Sequence, residues 1–481
     1  MLPRNPPNIP ANMALFPVKR ATLRAEATRF ASIMGAGVTM SAWAMDEFAM
    51  ADLGDGRLNK RLIKLADRFA DKPTASIPGA CGDWAETKGA YRFLSQKKVG
   101  WEKILGPHMA STEARIRQHP VALCLQDTTE LDFNGQEIRG LGPLSYEAQR
   151  GMYLHPTYVV TPEREPLGVT DAWMWAREPK GADGKRSGPL ESDRWIEGYE
   201  RIGEMAARVP DTRLVYVADR EADILRLMQR AHALDYPADW LIRSQHNRSL
   251  PEGARLWDTV LAGEPLGEIQ FTFASRHGQP AREVRQQLWA HRLTLPAGKE
   301  EALSITCLVA REVMAPKGAK PIEWRLLTNR EAVSLEAAVT LIDWYRARWE
   351  IEMFFNVLKN GCRVETLQLA AIGKIELALA VYMVVAWRLA RMMRLGRIHP
   401  DLDAALLFST EEWQAAYILA KKPVPRTPPS TREVIRRIAG LGGFLGRKGD
   451  GEPGVKTLWL GWQRVRDFVE GLEYAVKHHV R

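Results

Sequence analysis

The sequence predicts a mixed α/β protein, with a mixed sheet covered by helices and further helical regions before and after it. Two observations carry this. From about 120 to 175, strand-length apolar runs follow one another as a meander, and from there to about 245 they alternate with runs of helical period. Residues 46–100 and the segments 431–441 and 460–476 instead repeat their apolar positions at helical spacing throughout.

Taken in order, Leu58, Leu62, Leu65 and Phe69 mark a first helix that stops at Lys72-Pro73. A second begins at Asp83, with Glu86 three residues on as a capping box. Arg57, Arg61, Lys64 and Arg68 form a basic stripe on the first helix, and Lys88 and Arg92 add cations to the second. A stripe of this kind is usually a solvated face, but two cationic helices in a basic chain also fit DNA contact. The run 121–125 reads as a strand leading to Asp127, and 153–161 and 167–175 are two more, joined by a short turn. A helix at about 190–208, a strand 214–218 ending at Asp219, a helix 224–233 and a strand 240–242 follow. Residues 245–330 hold four strand-like runs and are expected to form an inserted β-rich subdomain. One helical pattern then runs from about 334 through Glu352, a largely apolar helix covers 364–395, and the four prolines of 421–430 mark a linker.

At 481 residues the chain is too long for one core. The expected division is a basic, proline-rich, disordered leader (1–40), a helical DNA-binding domain (41–112), the sheet domain (113–395) and a helical C-terminal domain (396–481). A net charge of +9 favours a polyanionic partner. The four cysteines are widely spaced and lack zinc or disulfide patterning, as in a reducing cytoplasm. The apolar run 377–387 is too short for a bilayer, so no membrane partner is expected. Met1, Met40 and Met45 all remain candidate start positions.

Chemistry concentrates on acids. Asp127 and Asp219 each end an apolar strand, where an Asp is more often a turn former or helix cap. Tyr345, Arg348, Glu352 and Lys359 fall within about 60° of arc on an ideal helix. That stripe borders the apolar face of Trp344, Ile351, Phe355 and Leu358, so Glu352 would sit at the core boundary, where a metal or cation is wanted. An Arg348–Glu352 surface ion pair is the plainer reading. Three carboxylates from two strand ends and a helix would make a hard-oxygen site suited to phosphodiester chemistry.

The stripe matches the Y-x2-R-x3-E-x6-K signature of the DDE cut-and-paste transposases of bacterial insertion sequences. From about residue 43 onward the chain resembles that family, in the branch represented by the transposase of transposon five. The resemblance includes 89–93 (GAYRF), 127–129 (DTT), 219–223 (DREAD), Trp324 with 326–328 (LLT), 442–444 (GGF) and 458–462 (LWLGW). It implies an RNase H-like core with a β-strand insertion, an N-terminal DNA-binding domain and a C-terminal dimerisation domain. By the same resemblance Asp127, Asp219 and Glu352 are the metal-binding catalytic triad. Tyr345, Arg348 and Lys359 hold transposon-end DNA, Trp324 stacks on a flipped base, and Arg57, Arg61 and Arg92 contact the end sequence. Phe355 and Asn356 depart from the His and Lys of the best-known relative.

The implied chemistry uses two Mg²⁺ ions (or Mn²⁺) to activate water, stabilise the leaving oxygen, and carry one site through end cleavage, hairpin formation and strand transfer. The implied partners are transposon-end and target DNA within a homodimeric synaptic complex, and the implied setting is the bacterial cytoplasm. The alternatives are a metal-dependent nuclease without strand transfer and a catalytically silent DNA-binding regulator. Residues 449–457 approach a phosphate-binding loop, but Val455 separates glycine from lysine, so no nucleotide cofactor is expected.

Overall fold

The computed structural model describes residues 42–187, 190–273, 282–296, 302–316, 318 and 321–477; the leader falls outside them. The chain opens on α1 (Ala42–Glu47), α2 (Gly56–Asp71), the single turn α3 (Ile77–Ala80), α4 (Trp84–Phe93) and α5 (Trp101–Ile116). The sheet region holds β1 (Val121–Gln126), β2 (Thr129–Asp132), β3 (Gly142–Pro143), β4 (Arg150–Val160) and β5 (Pro166–Trp175). It continues through α6 (Asp193–Arg208), β6 (Arg213–Ala218), α7 (Leu225–Ala233), β7 (Asp239–Arg243) and α8 (Leu256–Ala262). Next come β8 (Gly267–Phe273), β9 (Arg282–Leu295), β10 (Leu303–Glu312) and β11 (Glu323–Thr328). The helices α9 (Leu335–Ala347), α10 (Trp349–Asn356), α11 (Ile372–Ile398), α12 (Thr410–Leu419), α13 (Thr431–Leu441) and α14 (Val455–Lys477) complete it.

Local chemistry sets the first helices. Asp55 caps α2 by accepting from the Arg57 amide, and Leu62, Leu65 and Phe69 are buried as their spacing predicts. Asp83 caps α4 through the Glu86 amide at 2.7 Å. The reciprocal half of that capping box is absent. The Glu86 carboxylate instead accepts from the Gly82 amide and pairs with Arg68 (3.0 Å) and Lys64 (3.1 Å). Lys64 and Arg68 of the basic stripe therefore clamp α2 to α4, and Arg57 at its N-terminal end faces outward.

The strand order is β5-β4-β1-β6-β7-β11-β10-β9-β8, with β2 and β3 also paired to β4. β1, β6 and β7 run parallel, whereas β1–β4 and β4–β5 are antiparallel. A three-strand meander followed by two parallel strands on the other side of the first is the RNase H-like topology. β11 pairs antiparallel with β7, so the strands of 245–330 extend the same sheet. Alternation along β1 feeds two cores: Leu123 and Leu125 face the side covered by α9, α10 and α11, and Ala122 and Cys124 face α6 and α7. All four cysteines are buried and unpaired.

α11 is buried nearly all round and joins the three regions, stacking Tyr382 on Phe69 of α2 and donating from the Trp387 indole to the Pro166 carbonyl. Among the described residues, no helix is long and apolar enough to cross a membrane. Beside α11, buried charges from four helices meet. Arg466 of α14, only 2% exposed, pairs with Asp71 of α2 at 2.8 Å and Glu412 of α12 at 3.0 Å. Arg388 of α11 stacks on Trp43, whose indole donates to Asp67 of α2 at 3.2 Å.

Burial, with Asp71 adding repulsion, pushes the Asp67 carboxyl up to about 7. A carboxyl raised in the fold stabilises it below the unfolded value, near 4, and loses that contribution as pH rises through about 7. Asp67→Asn keeps the acceptor for Trp43 without titrating. Between pH 4 and 8 its unfolding free energy should therefore fall less steeply than that of the wild type. At pH 8 it should be more stable by an amount on the order of 3 kcal/mol, read by chemical denaturation.

Candidate active site

The site forms where β1 and β6 end together. Gln126 and Ala218 are register partners, so the next residues, Asp127 and Asp219, emerge side by side from adjacent parallel strands about 4.8 Å apart. Beyond Asp127 the chain leaves β6 and continues along β4 as β2. That split leaves Asp127 on the side of Leu123 and Leu125, beneath α10. Its Oδ1 accepts the Thr128 amide at 2.8 Å. Asp219 caps the short turn Arg220–Ala222 by accepting the Glu221 amide at 2.7 Å, so the helix-cap reading of this residue is also realised.

Glu352 lies on α10 and is joined to Asp127 through Arg348. The Arg348 guanidinium donates to Asp127 Oδ2 at 2.6 Å and lies 3.6 Å from Glu352. The plain intrahelical pair and the contact with a strand acid thus coexist. The helix predicted through Glu352 is divided at Arg348, whose amide bonds back only three residues to the Tyr345 carbonyl. The guanidinium at this tightened turn is the one that reaches β1.

Tyr345 is buried above the same spot. Burial holds its hydroxyl above the ordinary range, and both Arg348 and Asp219 act on it electrostatically. Lys359 does not continue a straight α-helical stripe, because residues Val357–Gly361 form a π-helical turn. Its ammonium donates to the Glu130 carbonyl at 2.7 Å and pairs with Glu365 at 3.3 Å. It therefore reaches β2, just past Asp127.

Desolvation drives the Asp127 carboxyl well above its usual range. Arg348 opposes that, while the charges of Asp219 and Glu352 reinforce it. Burial works against the charge of Arg348, yet Asp127, Tyr345, Glu352 and Asp219 together shift it upward. The arginine's shift reports its attraction to the acids. The aspartate's is the net of burial and two like charges against one cation. Three carboxylates whose charges raise one of their number fit hard divalent cations in their donor chemistry. Among the described residues, no three acidic, His or Cys side chains already converge as an ion cage. Arg348 holds the space between Asp127 and Glu352.

Trp324 on β11 is half-buried on the same side of the sheet, one face stacked on Phe271 at 6.1 Å and 12°. Arg57 is 91% exposed and pairs with neighbouring Asp55. Arg61 lies across Gly89 of α4, where a β-carbon would come within 2.6 Å of its guanidinium carbon. Arg92 is exposed on α4. Sequence reading gave Lys88 as a cation of this helix but missed the exposed ring beside it: Trp84 is 68% exposed with the Lys88 ammonium 5.3 Å from its ring, and Tyr91 follows one turn on. Their spacing of four and three residues was the available signal. Of the two departures, Phe355 packs beside Phe354, which stacks on Tyr158, and Asn356 bonds Asn360. Phe355 thus faces the core rather than a phosphate.

An RNase H-like sheet with acids at the ends of its first two parallel strands defines the fold class. Residues 40–99 match the family described as transposase DNA-binding, and residues 384–480 match the Tn5 transposase dimerisation domain. With those regions at its two ends, the chain is similar to Tn5-like transposases. A cryo-EM structure of a piggyBac transposase synaptic complex with hairpin DNA aligns with 77% of this chain and 58% of that one. Sequence identity is 10% and the TM-score 0.33, and the chain spans little over half the length of that solved chain.

Proposed function

We propose that the protein is a DNA transposase that cleaves the ends of its element and joins them to target DNA. The observation that carries this reading is the pairing of Arg348 with both Asp127 and Glu352, with the Asp219 charge acting on the same Asp127 carboxyl, in a chain whose ends match transposase DNA-binding and dimerisation domains. Asp127, Asp219 and Glu352 would hold Mg²⁺ or Mn²⁺, which when bound activates water and stabilises the departing 3′ oxygen. Arg348 neutralises the acids until metal and phosphate arrive. Tyr345, Arg348 and Lys359 position the scissile strand, and the cations of α2 and α4 (Arg57, Arg61 and Arg92) bind the end sequence. Trp324 offers its second face to a base extruded as a hairpin closes, a contact of about 1–3 kcal/mol. The working form is a homodimer that pairs two ends in the bacterial cytoplasm.

The test incubates the purified chain with the DNA flanking its element and Mg²⁺, and resolves the products on denaturing gels. Strand cleavage at the element boundary, a hairpinned end and loss of both under chelation are expected. Tight binding without cleavage would favour a regulatory protein, and cutting without joined product would favour a simple nuclease.

A further inference from the structure

On the opposite face of the sheet from the acids, a buried chain of polar side chains runs beneath Asp127. Gln126 and Thr128 point toward α6, across from Thr157 and His155 of β4. The Gln126 amide donates to the Thr157 hydroxyl at 2.8 Å, leaving its oxygen to accept from His155 Nε2 at 3.2 Å. His155 Nδ1 is then the acceptor, and the Thr128 hydroxyl donates to it at 2.8 Å. Thr128 in turn donates its amide to the Asp127 carboxylate at 2.8 Å. Each donor in the chain has one acceptor.

The surroundings fix this arrangement. His155 is fully buried, with Trp195 and Trp173 rings edge-on at 4.6 and 5.6 Å. Burial, with the Arg194 charge nearby, pushes its pKa down to about 3, so the ring stays neutral. α6 closes over the Gln126 amide at Gly198, where a β-carbon would fall 2.2 Å from the amide nitrogen. A histidine enclosed in this way, spanning two residues that flank an active-site acid, has more than core volume to supply.

We infer that His155 is a positioning residue, whose imidazole fixes Thr128 and through it the Asp127 carboxylate in the orientation that receives a divalent cation. This rests on the proposed function, because it assigns Asp127 to the metal. His155→Asn places an oxygen near the Nδ1 position and keeps the acceptor for Thr128, whereas His155→Gln places its amide at the Nε2 end and loses it. The full-length protein is titrated with Mn²⁺ by calorimetry, and end cleavage is followed against metal concentration.

Relative to wild type, His155→Gln should weaken Mn²⁺ binding about tenfold and raise the metal needed for half-maximal cleavage in parallel, with DNA-end affinity unchanged. His155→Asn should stay within about twofold of wild type on each measure, as a residue that conserves the one hydrogen bond that matters. Thr128→Val, which removes the hydroxyl from the other side, should reproduce the glutamine phenotype and carries the test should either histidine variant fail to fold. Equal behaviour of the Asn and Gln variants, or unchanged Mn²⁺ isotherms, would overturn the positioning role alone. A wild type that neither binds Mn²⁺ nor cuts DNA would overturn the reading beneath it.

Discussion

Glu352→Gln is expected to abolish end cleavage, by at least about 10³-fold, and to leave DNA-end binding within a few-fold of wild type. The substitution keeps the size and hydrogen-bonding reach of the side chain and removes its charge. Glu352 lies 3.6 Å from Arg348 and is not enclosed, so little stability is lost. Its charge also reaches Asp127, raising that carboxyl. Removing it should therefore let Asp127 ionise at lower pH even as the proposed metal site loses a ligand. Gel-shift titration and single-turnover cleavage, run on one preparation, separate the two effects. A variant that still cuts at a tenth of the wild-type rate would remove Glu352 from the triad.

Arg466→Met is expected to lower unfolding free energy by about 3–5 kcal/mol at pH 7.5, the cost of leaving buried acids without their cation. Arg466 pairs with Asp71 and Glu412, and Asp67 lies in the same cluster, so its loss would leave three acids with Arg388 as their shared buried cation. Burial already raises Glu412 and Asp67, and loss of the guanidinium would raise both further. Because raised carboxyls favour the fold below their unfolded values, the defect should shrink toward pH 4 and grow through neutrality. Asp71→Asn with Glu412→Gln in the same chain should recover much of the loss. Denaturant midpoints across pH provide the measurement, and a pH-independent loss below about 1 kcal/mol would contradict this account.

Much of the frame was legible because period carries it. Leu123 and Leu125 against Ala122 and Cys124 reveal a strand with two cores, and Trp195, Tyr199, Ile202 and Met205 reveal the helix that covers one of them. Asp127 and Asp219 could be placed at strand ends, but whether those strands were neighbours depended on pairing that no local pattern encodes. The break at Arg348 and the π-helical turn at Lys359 were invisible for a related reason. Both follow from reaching for distant partners, Asp127 in one case and Glu130 in the other. The Glu86 carboxylate was misassigned to a capping box because Arg68 and Lys64, on another helix, compete for it. His155 carried no sequence signal at all: one histidine in an apolar strand gains its meaning only from the residues across the ladder.

The continuity of β7 with β11 has a mechanical corollary. Ile242 is in register with Ala218 on one side and Leu327 on the other, so an unbroken ladder of amide bonds runs from the Asp219 strand end to the strand bearing Trp324. The indole and the two strand-end carboxylates, Asp127 and Asp219, are thus mounted on one stiff plate, and a slip of a single position along it would turn the ring to the far side. If Trp324 takes the role proposed for it, the distance at which it meets an extruded base is set in advance by strand alignment, with no hinge needed to aim it.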